Sequence, residues 1–156
     1  MNDLTQHYQQ ILGDTKPWVV REVNMDVPNQ TIEVCLSLPP DAVWACPACK
    51  SRMHIKEWRE RRWRHLDSCQ FKTVLKAKVP VVECAEHGAQ TVQVPWSEAK
   101  SRFTLFFERL AIEVLMACTA KKAAQLLDIS WDEVDGIKQR AVRRGLGRRT
   151  LESLEN

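Results

Sequence analysis

The pattern Cys46-Pro47-Ala48-Cys49 followed by Cys84-Ala85-Glu86-His87-Gly88 constrains this chain more than any other feature. Two residues between ligands let a tight turn aim both side chains at one tetrahedral cation, and two such turns complete a four-ligand set. Three thiolates and one imidazole leave no open position for a substrate, so Cys46, Cys49, Cys84 and His87 are the expected ligands of a structural zinc ion. The stretch between the knuckles, residues 50–83, is long enough to hold two strands, which makes a zinc ribbon the natural geometry. The rival chemistry is a redox C-x-x-C, in which Cys46 would open a helix inside a βαβ unit. The neighbouring residues read as strand and turn, which favours metal. His54 and His65 are alternative imidazoles to His87, although His65 lies in an alternating stretch that suits a structural or phosphate-binding role. Cys35, Cys69 and Cys118 lack metal spacing and are expected to pack as small apolar groups.

Around the knuckles the hydrophobic period is two. Residues 17–27 place Val23, Met25 and Val27 on one face, and residues 30–38 do the same with Ile32, Val34, Leu36 and Leu38. Pro28-Asn29 between them is turn chemistry, so the two runs predict a hairpin, which Pro39-Pro40 stops. Residues 57–66 and 71–82 are again strand-like, the second with Phe71, Thr73, Leu75, Ala77, Val79 and Val81 on one face and Lys72, Lys76 and Lys78 on the other. A short strand over 91–94 closes the series.

Beyond Pro95 the period becomes helical. Phe103, Phe106, Phe107, Leu110, Ala111, Val114, Leu115 and Cys118 recur at i, i+3, i+4 spacing, an amphipathic helix of about four turns. A shorter run holds Ala120, Ala123, Ala124 and Leu127, and Asp128-Ile129 breaks it. Ser130 and Glu133 have capping-box spacing at the head of a third helix. Trp131, Val134, Ile137, Ala141 and Val142 form its expected inner face, and Gly145 and Gly147 its expected end. The fold class read here is α+β: a β-rich zinc-ribbon-like domain over residues 1–97, then three helices over 98–156.

A short turn before a capped third helix fits a helix-turn-helix, whose last helix enters the major groove of DNA. On that reading Asp132, Asp135, Gln139, Arg140 and Arg143 face outward. Lys121 and Lys122 meet phosphates at the head of the second helix. The whole chain is only mildly basic, with 23 Lys plus Arg against 20 Asp plus Glu. Its cations are nevertheless gathered, with Trp interleaved, in Arg59, Arg61, Arg62 and Arg64, and again in Lys138, Arg140, Arg143, Arg144 and Arg148. Such patches meet polyanions, and double-stranded DNA is the expected partner, with no small-molecule substrate and a homodimer as an open alternative. With 44% hydrophobic and 28% charged residues, the chain is composed to bury a core. No stretch approaches the ~18 apolar residues of a membrane span. The first residues lack a signal-peptide pattern, so a cytoplasmic, nucleoid-associated location is expected.

The order CPxC, RxRRWRHLD, VPVVECAEHG, VPW, SRFTLFFE and RAVRRGLGRR resembles the N-terminal half of bacterial insertion-sequence transposases of the IS-L-three family. These motifs are Cys46–Cys49, Arg59–Asp67, Val79–Gly88, Val94–Trp96, Ser101–Glu108 and Arg140–Arg149. The resemblance implies a zinc-binding domain with Cys46, Cys49, Cys84 and His87 as ligands. It also implies a helix-turn-helix over 102–145 that helps recognise terminal inverted repeats. In that family a DDE nuclease core follows the basic helix. The sequence ends at Asn156 without three separated carboxylates on such a core, so no catalytic residue and no strand transfer by this chain are expected. A free-standing zinc-binding regulator of transcription or transposition and a C-x-x-C thiol oxidoreductase are the alternative functions. An adaptor that pairs its helices with a protein is a third.

Overall fold

A computed structural model describes residues 3–154. The chain divides into two compact units, one up to Leu105 and one from Phe106.

In the first unit the alternating runs become strands that share one sheet. An opening helix α1 (Asp3–Leu12) leads to β1 (Val19–Asp26) and β2 (Thr31–Ser37), which pair antiparallel across the expected turn at residues 27–30. A two-residue strand β3 (Trp44–Ala45) precedes the long antiparallel pair β4 (Arg52–Arg64) and β5 (Lys72–Cys84), and β6 (Gly88–Thr91) returns along β5. The strand order is β1-β2-β5-β4-β3. One edge of β5 is used twice. Its first half pairs parallel with β2, and its last turn of pleat pairs antiparallel with β6.

The period of two decides what is buried. Ile32, Val34 and Leu36 on β2, and Thr73, Leu75, Ala77, Val79 and Val81 on β5, all point into the core. Trp18, Trp63 and Trp96 complete it as an edge-to-face chain, with ring centroids 5.3 Å apart for Trp18–Trp96 and 5.2 Å for Trp63–Trp96. Such geometry sets the positive ring edge against a negative ring face. A second, smaller cluster holds Cys46, Met53, Val82 and Cys84, with Trp44, Cys49 and Val92 packed on it.

Several details differ from the expectations. Met25 is 48% exposed because β1 is an edge strand with a bulge between Val20 and Glu22 that shifts its register against β2, and Val27, 62% exposed, lies in the turn beyond the end of β1. The last strand is Gly88–Thr91 rather than 91–94, since Gly88, at φ +79°, turns the chain straight back along β5. The helix α1 stands where the sequence reading placed no element. Its Tyr8 and Leu12 enter the core, and the Gln9 side chain accepts from the Val20 amide at 2.8 Å and donates to Thr15 at 2.8 Å.

The first unit extends past residue 97 because β4 continues as a ladder. Arg64 and Phe103 form a parallel bridge: the Arg64 amide donates to Arg102 O at 2.8 Å, and the Thr104 amide to Arg64 O at 3.0 Å. The Leu105 amide donates to Trp96 O at 2.8 Å, and the Ser97 hydroxyl to Phe103 O at 2.8 Å. His65 closes the seam, its Nδ1 lying 2.9 Å from Thr104 Oγ1.

Burial takes the His65 imidazole down to about 4. The unfolded imidazole titrates near ~6.5, so between these values the unfolded chain binds a proton that the folded chain refuses. The stability from neutral His65 is complete above ~6.5 and is lost as pH falls toward 4, by at most about 3 kcal/mol. Urea melts at about pH 7 and about pH 5 are expected to show His65→Gln losing less stability on acidification than the parent chain. Equal losses would contradict this.

The second unit is α2 (Leu105–Ala117), α3 (Ala120–Leu127) and α4 (Trp131–Leu154). Thr119 caps α3 by accepting from the Lys122 amide at 3.2 Å. Asp128 ends it in the left-handed region, at φ 53°, with its amide on the Ala124 and Gln125 carbonyls. The Ser130 amide donates to Glu133 Oε2 at 2.7 Å and the Glu133 amide to Ser130 Oγ at 3.2 Å, the reciprocal capping box the sequence predicted. Val134 and Ile137 form the inner face of α4, whereas Trp131 and Val142 are each 60% exposed. The helix also runs through Gly145 and Gly147. A glycine stops a helix by turning left-handed, and neither takes a positive φ here; each only weakens the helix, by about 1 kcal/mol relative to Ala. No helix among the described residues is long and apolar enough to cross a membrane.

Candidate functional site

The two knuckles form at corresponding places in two hairpins. Cys46 and Cys49 lie in the turn between β3 and β4, where the Lys50 amide donates to Cys46 O at 2.8 Å and the Cys46 amide to Ser51 O at 2.9 Å. Cys84 ends β5, and His87 sits in the turn before β6. In each knuckle the residue after the second ligand has positive φ, Lys50 at 62° and Gly88 at 79°. That left-handed step reverses the chain tightly enough to leave both ligand side chains on the same side of the turn.

The β4–β5 pairing then joins knuckles that lie far apart in the chain. The four ligand atoms of Cys46, Cys49, Cys84 and His87 all lie within 4.8 Å of one another. Cys49 Sγ is 3.6 Å from Cys84 Sγ, and His87 Nδ1 is 3.6 Å from Cys46 Sγ and 3.5 Å from Cys84 Sγ. Zinc–sulfur bonds of ~2.3 Å and zinc–nitrogen bonds of ~2.0–2.1 Å at tetrahedral angles require S···S near ~3.8 Å and S···N near ~3.6 Å. These three separations match a tetrahedral zinc set, and the soft donors of the cluster suit that metal. Donation from the Ser51 side chain and backbone, with smaller contributions from Cys84 and Cys46, holds the Cys49 thiol down at about 6. Neither His54 nor His65 joins the cluster.

The cations of β4 are arranged differently from one another. Lys56 faces Glu83 at 3.6 Å, and Arg59 pairs with Glu57. Arg62 reaches Glu33 at 2.6 Å and Glu60 at 3.8 Å, while Lys76 from β5 joins the same two acids at 3.5 and 3.7 Å. Arg64 binds Asp67 at 3.0 Å, its side chain only 9% exposed. Arg61 instead stacks over Trp63, 5.0 Å from the ring centroid.

On the helices, Lys121, Lys122, Lys138, Gln139, Arg143 and Arg148 are exposed. Gln139 donates to Asp135 at 2.7 Å, and these two line a shallow groove of about 440 Å³ with Lys138, Val142 and Arg143. Arg140 does not face outward. It binds Glu108 of α2 at 2.6 Å, and Arg144 binds the other oxygen of that carboxylate at 3.0 Å. Helical spacing alone had put Arg140 on the solvent side; the buried acid that holds it lies on another helix. Glu108, 1% exposed, is a key residue that the sequence reading left unassigned.

Comparison with known proteins matches both parts. Residues 42–87 match the zinc-finger of transposase IS204/IS1001/IS1096/IS1165, and residues 92–142 match the helix-turn-helix domain of transposase family ISL3. The architecture is thus a zinc ribbon followed by a helix-turn-helix. Both matches support the N-terminal, two-domain region of an ISL3-family transposase. It is 32% identical over 139 residues to the transposases for insertion sequence element IS1557 from two Mycobacterium tuberculosis strains, CDC 1551 / Oshkosh and ATCC 25618 / H37Rv. The match covers 85% of this chain and 31% of each relative, so the chain spans about a third of their length. No solved structure gives a significant match.

Proposed function

We propose that this chain is a zinc-loaded DNA-recognition module that binds duplex DNA at the terminal inverted repeats of an insertion sequence. The observation that carries the reading is the capped helix-turn-helix, which leaves Lys121 and Lys122 exposed on α3 and Lys138, Gln139 and Arg143 exposed on α4. In this role α4 lies in the major groove, where Gln139 and Arg143 have the donors to meet base edges. Lys121, Lys122, Lys138 and Arg148 neutralise phosphates and set the salt dependence. Arg140 and Arg144 act one step back, fixing α4 against α2 through Glu108. Arg59, Arg62 and Arg64 stabilise the sheet through their own acids. Cys46, Cys49, Cys84 and His87 hold zinc, which supplies structure rather than chemistry.

Fluorescence anisotropy with duplexes carrying the terminal repeats of the parent element, with and without chelator, tests the reading. Binding is expected to weaken steeply as salt rises. Arg143→Ala is expected to cost about 1–3 kcal/mol if the side chain reads a base and less if it meets phosphate. Equal affinity for repeat and scrambled duplexes, unmoved by Arg143→Ala, would remove the sequence-reading role.

A further inference from the structure

Beside the zinc knuckle the first unit holds a groove of about 860 Å³, within the ~300–1,000 Å³ of small-ligand clefts. Trp44, Arg59, Glu60, Arg61, Gln90 and Lys100 are among the residues that line it. Its charges are unequal. Glu60 is turned toward Arg62 and Lys76, and Arg59 is paired with Glu57. Among the described residues neither Arg61 nor Lys100 makes an ion pair, and Arg61 alone of the cations from Lys56 to Arg64 lacks a carboxylate. Arg61 is half-buried, with Trp63 beneath it and a long contact of 3.4 Å to the Ser101 carbonyl, and that burial pushes its guanidinium down from its ordinary value. A partly desolvated cation without a counter-charge is an unfavourable arrangement that an anion relieves. Trp44, packed at its base on the small cluster and partly exposed, supplies an aromatic face in the same groove, and the Gln90 amide is an exposed donor and acceptor.

We infer that this groove binds one unpaired nucleotide of a DNA strand, its phosphate between Arg61 and Lys100 and its base stacked on Trp44. A cationic groove with an aromatic platform is how single strands are held without sequence preference. A paired duplex keeps its bases stacked on one another, out of reach of such a platform. The inference rests on the DNA-binding reading and adds to it a frayed or overhanging end as the form of DNA held by the ribbon.

The test is an anisotropy titration of the zinc-loaded 156-residue chain with a short duplex carrying a terminal repeat of the parent element, blunt or with a thymidine overhang, and with oligothymidylate alone. The overhang is expected to bind roughly tenfold tighter than the blunt end. Arg61→Gln and Lys100→Gln, both polar replacements outside the core, are expected to abolish that gain while blunt-duplex affinity changes far less. Trp44→Phe keeps a stacking face and retains the gain in part. Equal binding of blunt and overhanging duplexes overturns the groove but leaves the helix-turn-helix reading standing. Oligothymidylate bound through Arg61 with no duplex binding supports the groove and overturns the reading of α4. No binding to any of the probes overturns both.

Discussion

Chelating the metal, or replacing Cys84 with Ala, is expected to unfold the β-sheet unit while helices α2 to α4 keep their ellipticity. The size of the effect follows from what the metal replaces. The cluster around the knuckles is small, and two of its four buried members, Cys46 and Cys84, belong to the Cys/His set that could hold a metal. Without a cation, three sulfurs and an imidazole crowd one point with nothing to bridge them. Structural zinc contributes on the order of 10 kcal/mol, as much as the whole stability of a typical domain. Loss should begin at the knuckle turns and β6, because the tryptophan cluster around Trp63 and Trp96 forms a separate core farther along β4 and β5. Elemental analysis should find one zinc per chain. Hydrogen exchange on the chelated protein should show amides near Cys46 and Cys84 exchanging first, with those of α3 and α4 still protected. A single cooperative loss of both units would contradict the separation into two folding bodies, and a fully folded Cys84→Ala protein would contradict the metal.

What could be read from the chain beforehand was whatever depends on near neighbours in sequence. The knuckles are written in spacings of two residues, the β2 and β5 cores in strict alternation, and the head of α4 in the Ser130–Glu133 box. Features that depend on distant partners were not legible. Val23, Met25 and Val27 alternate as cleanly as Ile32, Val34 and Leu36, yet only position in the sheet tells an edge strand from a central one. The parallel pairing of β2 with β5 has no local signature. Residues 98–105 look like the approach to a helix, and their place in the sheet unit comes from hydrogen bonds to Arg64 and Trp96. The basic run on β4 reads as a uniform row of cations until Glu33, Glu57, Glu60 and Asp67 are seen against it. Only then does Arg61 stand apart from its neighbours.

Glu108→Ala is expected to destabilise the helical unit by about 3–5 kcal/mol and to weaken DNA binding, although a carboxylate 1% exposed cannot touch DNA. The carboxylate accepts from Arg140 at one oxygen and from Arg144 at the other, and the two guanidiniums are themselves largely covered, their side chains 14% and 30% exposed. Removing the acid leaves two partly buried cations facing each other one helical turn apart. Breaking such a pair from one side costs far more than the pair was worth, because the remaining charge keeps its desolvation penalty. The arrangement also fixes the rotation of α4: Arg140 and Arg144 on the α2 side place Gln139 and Arg143 about 100° around the helix from that contact, where both are exposed. If α4 turns or slides when Glu108 is lost, base contacts fail even where the helix survives. Glu108→Gln retains an acceptor and the side-chain volume, so it should lose less stability than Glu108→Ala. The variant Glu108→Leu with Arg140→Met and Arg144→Leu, an apolar triad, should regain much of the stability. Urea denaturation followed by helical ellipticity, with Arg140→Ala completing a double-mutant cycle, measures the coupling. A loss below about 1 kcal/mol would reduce the triad to a surface ion pair and leave the orientation of α4 to the apolar contacts of Val134 and Ile137.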